Sequence, residues 1–290
     1  MPRVALVTCR PRPGIAEDRD LPVLVRALTE AGARACAVEW DDPAVDWAGF
    51  DLAVIRSTWD YTWRAAEFTA WAERCGAATR LANPADVVRW NTDKRYLGDL
   101  AAAGVPVVPT RYLAPGDPPT LPDGYEYVVK PASGAGARLA ARYTPDEHDR
   151  AAEHLRRMHA DGYTAMVQPY VTAIDRAGER ALVFVGGRLL HASRKDAVLG
   201  PGTPYDAPRT AHPRPVPWTP GADEAAVAER ALAAVPGAPE LLYARVDLVD
   251  GEDGRPRVME LELVEPNLFL WLHPDSLPVV TAAVIAAAAR

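Results

Sequence analysis

The 290-residue chain has little of what staples or anchors a protein. It holds only three cysteines, Cys9, Cys36 and Cys75, scattered through the first third with no CxxC pair. That spacing gives neither a disulfide framework nor a zinc site and reads as buried thiols of a reduced compartment. No apolar run is long enough to span a bilayer. The N-terminal MPRVALVTCR lacks the longer apolar core and small-residue cleavage site of a signal peptide. A cytoplasmic protein without a membrane partner is expected. Positive charge is not in excess: 32 Lys and Arg against 39 Asp and Glu leave a formal net charge of −7. Nucleic-acid binding relies on clustered cations that neutralise phosphates, so no polynucleotide partner is expected. Two common nucleotide signatures are also missing. The turn CRPRPGIAED holds no GxGxxG, and GxxxxGK[ST] occurs nowhere.

What is present suits a soluble globular protein of two or three subdomains, with 49% apolar and 24% charged residues. Strands are expected at Val4–Thr8, Ala33–Glu39, Leu52–Ile55 and Arg80–Ala82, with helices at Leu21–Ala31 and Ala65–Arg74 between them. Asp20 can cap the first helix, Pro22 suits its first turn and Gly32 suits the position past its end. This alternation predicts a small α/β layer on a parallel sheet. Ligands of such sheets sit beyond the carboxyl ends of strands, where Arg56-Ser57-Thr58-Trp59-Asp60-Tyr61 falls.

Further on, Asn91 or Thr92 is expected to cap a helix reaching Ala103, which puts Lys94 in a first turn against the helix dipole. Tyr127–Val129 reads as a strand that ends in Lys130 and Pro131 and opens into Ser133-Gly134-Ala135-Gly136-Ala137. Such a loop can bring backbone N–H groups up to phosphate oxygens while a lysine neutralises them. An ordinary hairpin with a lysine at its end is the plainer alternative. Pro145–Ala160 reads as an amphipathic helix whose His148, His154 and His159 are exposed and not spaced as metal ligands. Met166–Tyr170 is strand-like, and Gly186-Gly187 predicts a hairpin of Arg180–Val185 with Arg188–Ser193. The Pro- and Gly-rich Asp196–Pro217 is expected to be a lid. A helix at Glu224–Ala234, a hairpin of Leu241–Val249 with Val258–Leu263 and a helix at Pro278–Ala289 complete the chain.

Glu260 and Glu262 share a strand face, and the hairpin can bring Asp247 beside them. Three converging carboxylates need a cation, and hard oxygen ligands in a nucleotide site suit Mg²⁺. The alternative is a solvated polar sheet face.

With Lys94, Lys130, the SGAGA loop, the QPYV segment and Asp247, Glu260 and Glu262 in this order, the chain resembles the ATP-grasp superfamily. It is similar to prokaryotic glutathione synthetases over nearly its whole length. The resemblance implies an α/β and α+β fold: an N-terminal parallel domain over 1–90 and two lobes, 91–165 and 166–290, that enclose ATP. It implies that Lys94 and Lys130 contact the phosphates and that Ser133, Gly134 and Gly136 lie in the loop closing over them. Gln168, Tyr170 and Val171 match the hinge at the adenine, and Glu179 the ribose contact. Arg180 and Arg194 match arginines that act with Lys130 on the phosphate or acyl group, and Asp247, Glu260 and Glu262 match the magnesium ligands. Glu262 stands where such ligases usually have asparagine, which leaves the number of magnesium ions open.

The implied activity is ATP- and Mg-dependent ligation of a carboxylate to a nitrogen through an acyl phosphate, with release of ADP. Arg56, Ser57, Thr58, Asp60 and Arg245 are candidates for holding a small amino-acid-like substrate, arginine for carboxylate and aspartate for ammonium. Trp59, Tyr61 and Trp63 can floor the pocket or simply pack. The RSTWDY segment and the ExE pair look similar to the cyclo-ligases of D-cycloserine biosynthesis, which implies ring closure of O-ureido-D-serine. An intermolecular amino-acid or peptide ligase and a non-catalytic nucleotide-binding regulator stay open. A protein kinase does not fit, since HRD and DFG elements are missing. A homo-oligomer is implied by the resemblance alone.

Overall fold

β1 (Arg3–Thr8) is buried from Val4 through Val7, as the centre of a parallel sheet covered on both faces must be. It leads to α1 (Leu21–Glu30), β2 (Arg34–Glu39), β3 (Leu52–Ser57), α2 (Ala65–Ala78) and β4 (Arg80–Ala82). The four strands run parallel in the order β2-β1-β3-β4. The structure, a computed structural model, describes residues 1–12, 17–207, 213–237 and 239–290. Part of CRPRPGIAED and part of the expected lid, residues 13–16 and 208–212, lie outside the described residues.

The middle of the chain forms α3 (Ala85–Asn91), α4 (Tyr96–Ala102), β5 (Arg111–Leu113), β6 (Tyr127–Pro131), β7 (Ala141–Tyr143), α5 (His148–Ala160) and β8 (Ala165–Pro169). Its antiparallel sheet has the order β5-β8-β6-β7. The last part contains α6 (Ile174–Ala177), β9 (Glu179–Val185), β10 (Arg188–Lys195), β11 (Val216–Trp218), α7 (Ala222–Ala233), β12 (Tyr243–Asp250), β13 (Pro256–Glu262) and α8 (Leu277–Ala288). These five strands make a second antiparallel sheet, β11-β10-β9-β12-β13. One parallel and two antiparallel sheets give the mixed α/β and α+β class that the sequence predicts. The expected division after residue 165 falls inside β8, which pairs with β5 and β6.

Alternation along β9 and β12 sorts the last sheet into two faces. Leu182, Phe184, Val246 and Leu248 pack with Ala228 and Ala231 of α7. Val183, Val185 and Tyr243 pack instead with Leu24 and Leu28 of α1 and with Val280 and Val284 of α8. The parallel unit therefore rests on the last sheet, close to the strands that carry the acidic residues.

Four expectations need correction. The helix expected from Asn91 to Ala103 is broken: Asn91 ends α3, and α4 begins only at Tyr96. The Asn91 side chain is drawn to β13, donating to Leu261 O at 2.8 Å and accepting from Leu263 N at 2.7 Å. Asp20 does not cap α1. Asp18 Oδ1 accepts from the N–H groups of Asp20 and Leu21, while Asp20 Oδ1 accepts from Trp271 N at 3.0 Å. Cys36 is exposed on edge strand β2, and only Cys9 and Cys75 are buried. His154 is fully buried, stacked on Tyr205 with ring centroids 4.2 Å apart, and neither His148 nor His159 is fully exposed. Among the described residues, no helix is long and apolar enough to cross a membrane.

Candidate functional site

The site begins with a register shift. Across the Gly186-Gly187 turn, Val185 pairs with Arg188 and Phe184 with Leu189. An irregularity between Leu189 and His191 then moves the pairing by one, so that Glu179 faces Lys195 and Arg180 faces Arg194. One extra residue sends every later side chain of a strand to the other face. Lys195 thereby joins Glu179, Asp247 and Arg245, and its Nζ lies 2.5 Å from Glu179 and 2.7 Å from Asp247. Arg180 and Arg194 point to the opposite face. Arg180 is taken by Glu224 at 2.7 Å and by Asp250, and Arg194 pairs with Asp196 at 3.1 Å. Neither expected catalytic arginine stands with the carboxylates, and the buried Lys195, which the sequence reading passed over, does. Gly178, at φ +71°, permits this close approach, since a Cβ there would collide with the Lys195 carbonyl oxygen.

Two lysines meet the acidic strand from the middle unit. Lys94 sits in the break between α3 and α4, its N–H donating to Ala132 O at 2.8 Å. Its ammonium lies 3.0 Å from Glu260 and 2.5 Å from Gly134 O, in the glycine-rich loop. Burial acts to lower the Lys94 pKa, but Glu260, with Glu262 and Glu265 behind it, raises it overall. Lys94 therefore precedes its helix, and the dipole argument for it does not apply. Lys130, at the end of β6, has no carboxylate partner among the described residues. Its Nζ reaches Met259 Sδ at 4.0 Å, and burial pulls its pKa down. Ser133 beside it has a buried hydroxyl with no hydrogen-bond partner, and Gly136 takes φ +63°. A buried lysine outside any salt bridge, an unpaired hydroxyl and a loop of small residues fit a phosphate group.

Gln168 lies within β8, and Tyr170 and Val171 carry the chain from it to α6. The Gln168 amide donates to Thr110 Oγ1 at 2.8 Å. The Tyr170 ring lies under Arg142 at 3.5 Å, and its hydroxyl donates to Asp175.

The carboxylates are held by the protein's own cations. Arg245 donates to Asp247 through Nε at 2.8 Å and Nη2 at 2.9 Å, and also to Glu262 and to Asn267 O. Proposed from sequence as a substrate ligand, Arg245 organises the acidic residues instead. Burial would raise the Asp247 pKa, yet Arg245 and Lys195 together hold it far below the usual carboxylate range. Burial raises the Glu179 pKa against the pull of Lys195. Glu262 is pushed well up by burial and, despite Arg245, by Glu260 and Asp247. Glu265, absent from the sequence-based set, is pushed up to about 7 by burial, against Lys94 and a hydrogen bond from Tyr61. Among the described residues no three such donors meet at one point, because Asp247 faces Arg245 and Lys195. Mg²⁺ usually takes one or two protein carboxylates and completes its shell with phosphate and water oxygens. Glu260, beside Lys94 and the glycine-rich loop, with Glu262 on the same strand face, fits that ion.

At the carboxyl end of β3, Arg56 is buried, with Nη1 donating to Pro266 O at 3.2 Å and Nε and Nη2 without partners. The Thr58 hydroxyl is also buried and unpaired. Ser57 and Asp60 turn inward. Ser57 Oγ shares a 2.8 Å hydrogen bond with Thr8, and Asp60 accepts from Trp40 Nε1 at 2.8 Å with Arg64 at 3.6 Å. Tyr61 stacks on Phe68 at 5.0 Å, and Trp59 Nε1 donates to Glu265 O at 3.2 Å.

A parallel α/β unit followed by two antiparallel lobes, with lysines and carboxylates facing between them, is the arrangement of an ATP-grasp ligase. The structure matches D-alanine–D-alanine ligase from Bacillus anthracis, solved with ATP, at TM-score 0.69 over 100% of this chain and 98% of that one. Identity there is 15%, so that match speaks for the fold. Within this class the chain belongs to the DcsG family. It is 40% identical over 279 residues to the cycloserine biosynthesis protein DcsG of Streptomyces lavendulae, covering 89% of this chain and 90% of that protein. The crystal structure of D-cycloserine synthetase DcsG matches at TM-score 0.87 and 37% identity over 99% of both chains. The family described as D-cycloserine synthetase DcsG, N-terminal domain, matches residues 4–83. The chain is an ATP-dependent ligase.

Proposed function

We propose that this ligase uses Mg-ATP to activate the carboxylate of O-ureido-D-serine and closes the ring onto the substrate's own nitrogen, on the route to D-cycloserine. The observation that carries this reading is the state of two buried cations. Among the described residues, Lys130 pairs with no carboxylate and Arg56 keeps Nε and Nη2 unpaired, whereas Lys94, Lys195 and Arg245 are already engaged. The donors these two leave unused suit the transferred phosphoryl group and a substrate carboxylate. Kinship to DcsG over most of both chains supports the same substrate class.

The chemistry follows from charge. A carboxylate oxygen attacks the γ-phosphorus of ATP, the bond to ADP breaks, and an acyl phosphate forms. The substrate nitrogen then attacks the acyl carbon and loses its proton while phosphate leaves. Lys94 and Lys130 hold the phosphate charge, and Ser133 with the backbone of Gly134 and Gly136 covers it. Glu260 and Glu262 would hold Mg²⁺, which when bound neutralises the phosphate oxygens, while Asp247 stays turned to Lys195 and Arg245 behind them. Lys195 and Arg245 fix the direction of those carboxylates. Gln168, Tyr170 and Val171 form the hinge beside the adenine between lobes 91–165 and 166–290, with Glu179 toward the ribose. Arg56 and Thr58 receive the substrate at the edge of the 1–90 unit.

The test is turnover of Mg-ATP by the purified protein with O-ureido-D-serine alone and then with pairs of amino acids, with products read by mass. ADP, phosphate and a product lighter than the single substrate are expected from O-ureido-D-serine alone. Turnover that requires a second amino acid would move the assignment to an intermolecular ligase. Lys130→Ala should lower the rate by about 100-fold or more, the usual loss when a group stabilising transition-state charge is removed.

A further inference from the structure

Arg138 follows the glycine-rich loop in a turn where Gly136, Ala137 and Leu139 have φ of +63°, +57° and +54°. Alanine and leucine seldom occupy that region, so what the turn presents has to hold it there. It presents Arg138 to two aromatic rings. The guanidinium lies 4.7 Å from the ring centroid of Trp63 and 5.9 Å from that of Tyr163. Its Nη2 donates to the Tyr163 hydroxyl at 3.1 Å, and that hydroxyl donates to Thr62 O at 3.5 Å. Thr62 and Trp63 end the short helix that continues the RSTWDY segment, while Tyr163 stands in the turn before β8. Trp63 is 40% exposed and stands at the surface. Its open face serves as a platform for a cation.

We propose that Arg138 is a positioning residue that clasps the phosphate loop to the substrate-binding segment through Trp63 and Tyr163. The inference rests on the reading that Ser133–Ala137 covers the ATP phosphates and that the segment from Arg56 onward lines the substrate pocket. The clasp ties the two, so the loop is closed when the segment stands in its substrate-holding position. A closed loop keeps water from the acyl phosphate until the nitrogen attacks. When the clasp is loosened, ATP is still cleaved and part of the acyl phosphate is lost to water.

Two measurements test this. Trypsin cuts after arginine, and cleavage of a folded protein follows the open population of the segment. Trp63→Ala should speed cleavage after Arg138 by about three- to ten-fold, the range of a cation–π contact, while Trp63→Phe, which keeps a ring face, stays near the parent. In turnover, Arg138→Ala and Trp63→Ala should both raise the ADP formed per ligated product. Arg138→Lys should fall between, and the double variant should be no worse than either single one. Melting temperatures identify a variant that fails to fold; Trp63→Leu then replaces Trp63→Ala. Unchanged cleavage in the Trp63 variants, or effects that add in the double variant, would overturn the clasp. If the parent does not turn over O-ureido-D-serine while Trp63→Ala still exposes Arg138 to trypsin, the substrate reading fails and the clasp stands.

Discussion

Burial disfavours a second proton on His191. Its Nε2 donates to Leu268 O at 2.8 Å, its Nδ1 accepts from Ser276 Oγ at 2.7 Å, and its ring stacks on His273 at 4.1 Å. Burial, helped by His273, pushes its pKa from 6.5 to about 4. In the unfolded chain the same histidine takes up its proton near 6.5. Below that pH the unfolded state binds more protons, so this stability is present at neutral pH and is lost as pH falls toward 4. His191→Gln keeps a donor and an acceptor but cannot titrate. It should remove about 1 kcal/mol of the drop in unfolding free energy between pH 7 and pH 5, after allowance for a half-buried ring. An equally steep drop in the variant would assign the acid sensitivity elsewhere. At this scale the sequence shows Lys130 and Arg56 well, because each ends a short apolar strand that fixes where it points. Glu265 is not legible, since its pKa depends on burial beneath Tyr61 and beside Lys94, residues that lie far from it in the chain.

Elements decide which charged residues face the cleft. A regular two-residue hairpin would set Arg194 opposite Glu179; the irregularity at Leu189–His191 puts Lys195 there instead. Alternation of apolar and polar residues does not reveal a bulge within a strand that is mixed on both faces, and so the sequence favours the wrong neighbour. Lys195→Met should therefore lower ligation by about 100-fold or more, leaving Asp247 and Glu179 as buried charges short of a partner. Arg194→Met should change the rate by less than about three-fold, as expected when an ion pair at a partly exposed position is lost. Equal losses in the rate assay would contradict the register argument. Asn91 acts on the neighbouring strand. Its side chain satisfies the carbonyl of Leu261 and the N–H of Leu263, on either side of Glu262. Asn91→Ala leaves both buried groups unpaired and should cost about 2–4 kcal/mol in denaturant unfolding. The sequence marks Asn91 as a helix cap because asparagine is common there; its use as a bridge to β13 needs the folded chain.

At the scale of the molecule, a tyrosine-centred junction ties the parallel sheet to the last one. The Tyr243 hydroxyl lies within 3.0 Å of the carbonyls of Ile55, Ala82 and Val264, which joins β12 to β3 and β4. Arg56 and Trp59 reach across to the backbone of Pro266 and Glu265, so the parallel unit forms part of the wall beside the acidic strand. The order of units is legible in the sequence, because alternating strands and helices give way to hairpins after Lys130. Their packing is not, since it depends on which face of β9 and β12 meets α1 and α8. Phosphate from ATP is expected to join the substrate carboxylate before the nitrogen attacks. The most direct measurement uses O-ureido-D-serine carrying heavy oxygen in its carboxylate, with the released phosphate analysed by mass. One labelled oxygen per phosphate is expected for each ring closed. Unlabelled phosphate released with a ring-closed product would contradict an acyl phosphate and with it the proposed mechanism.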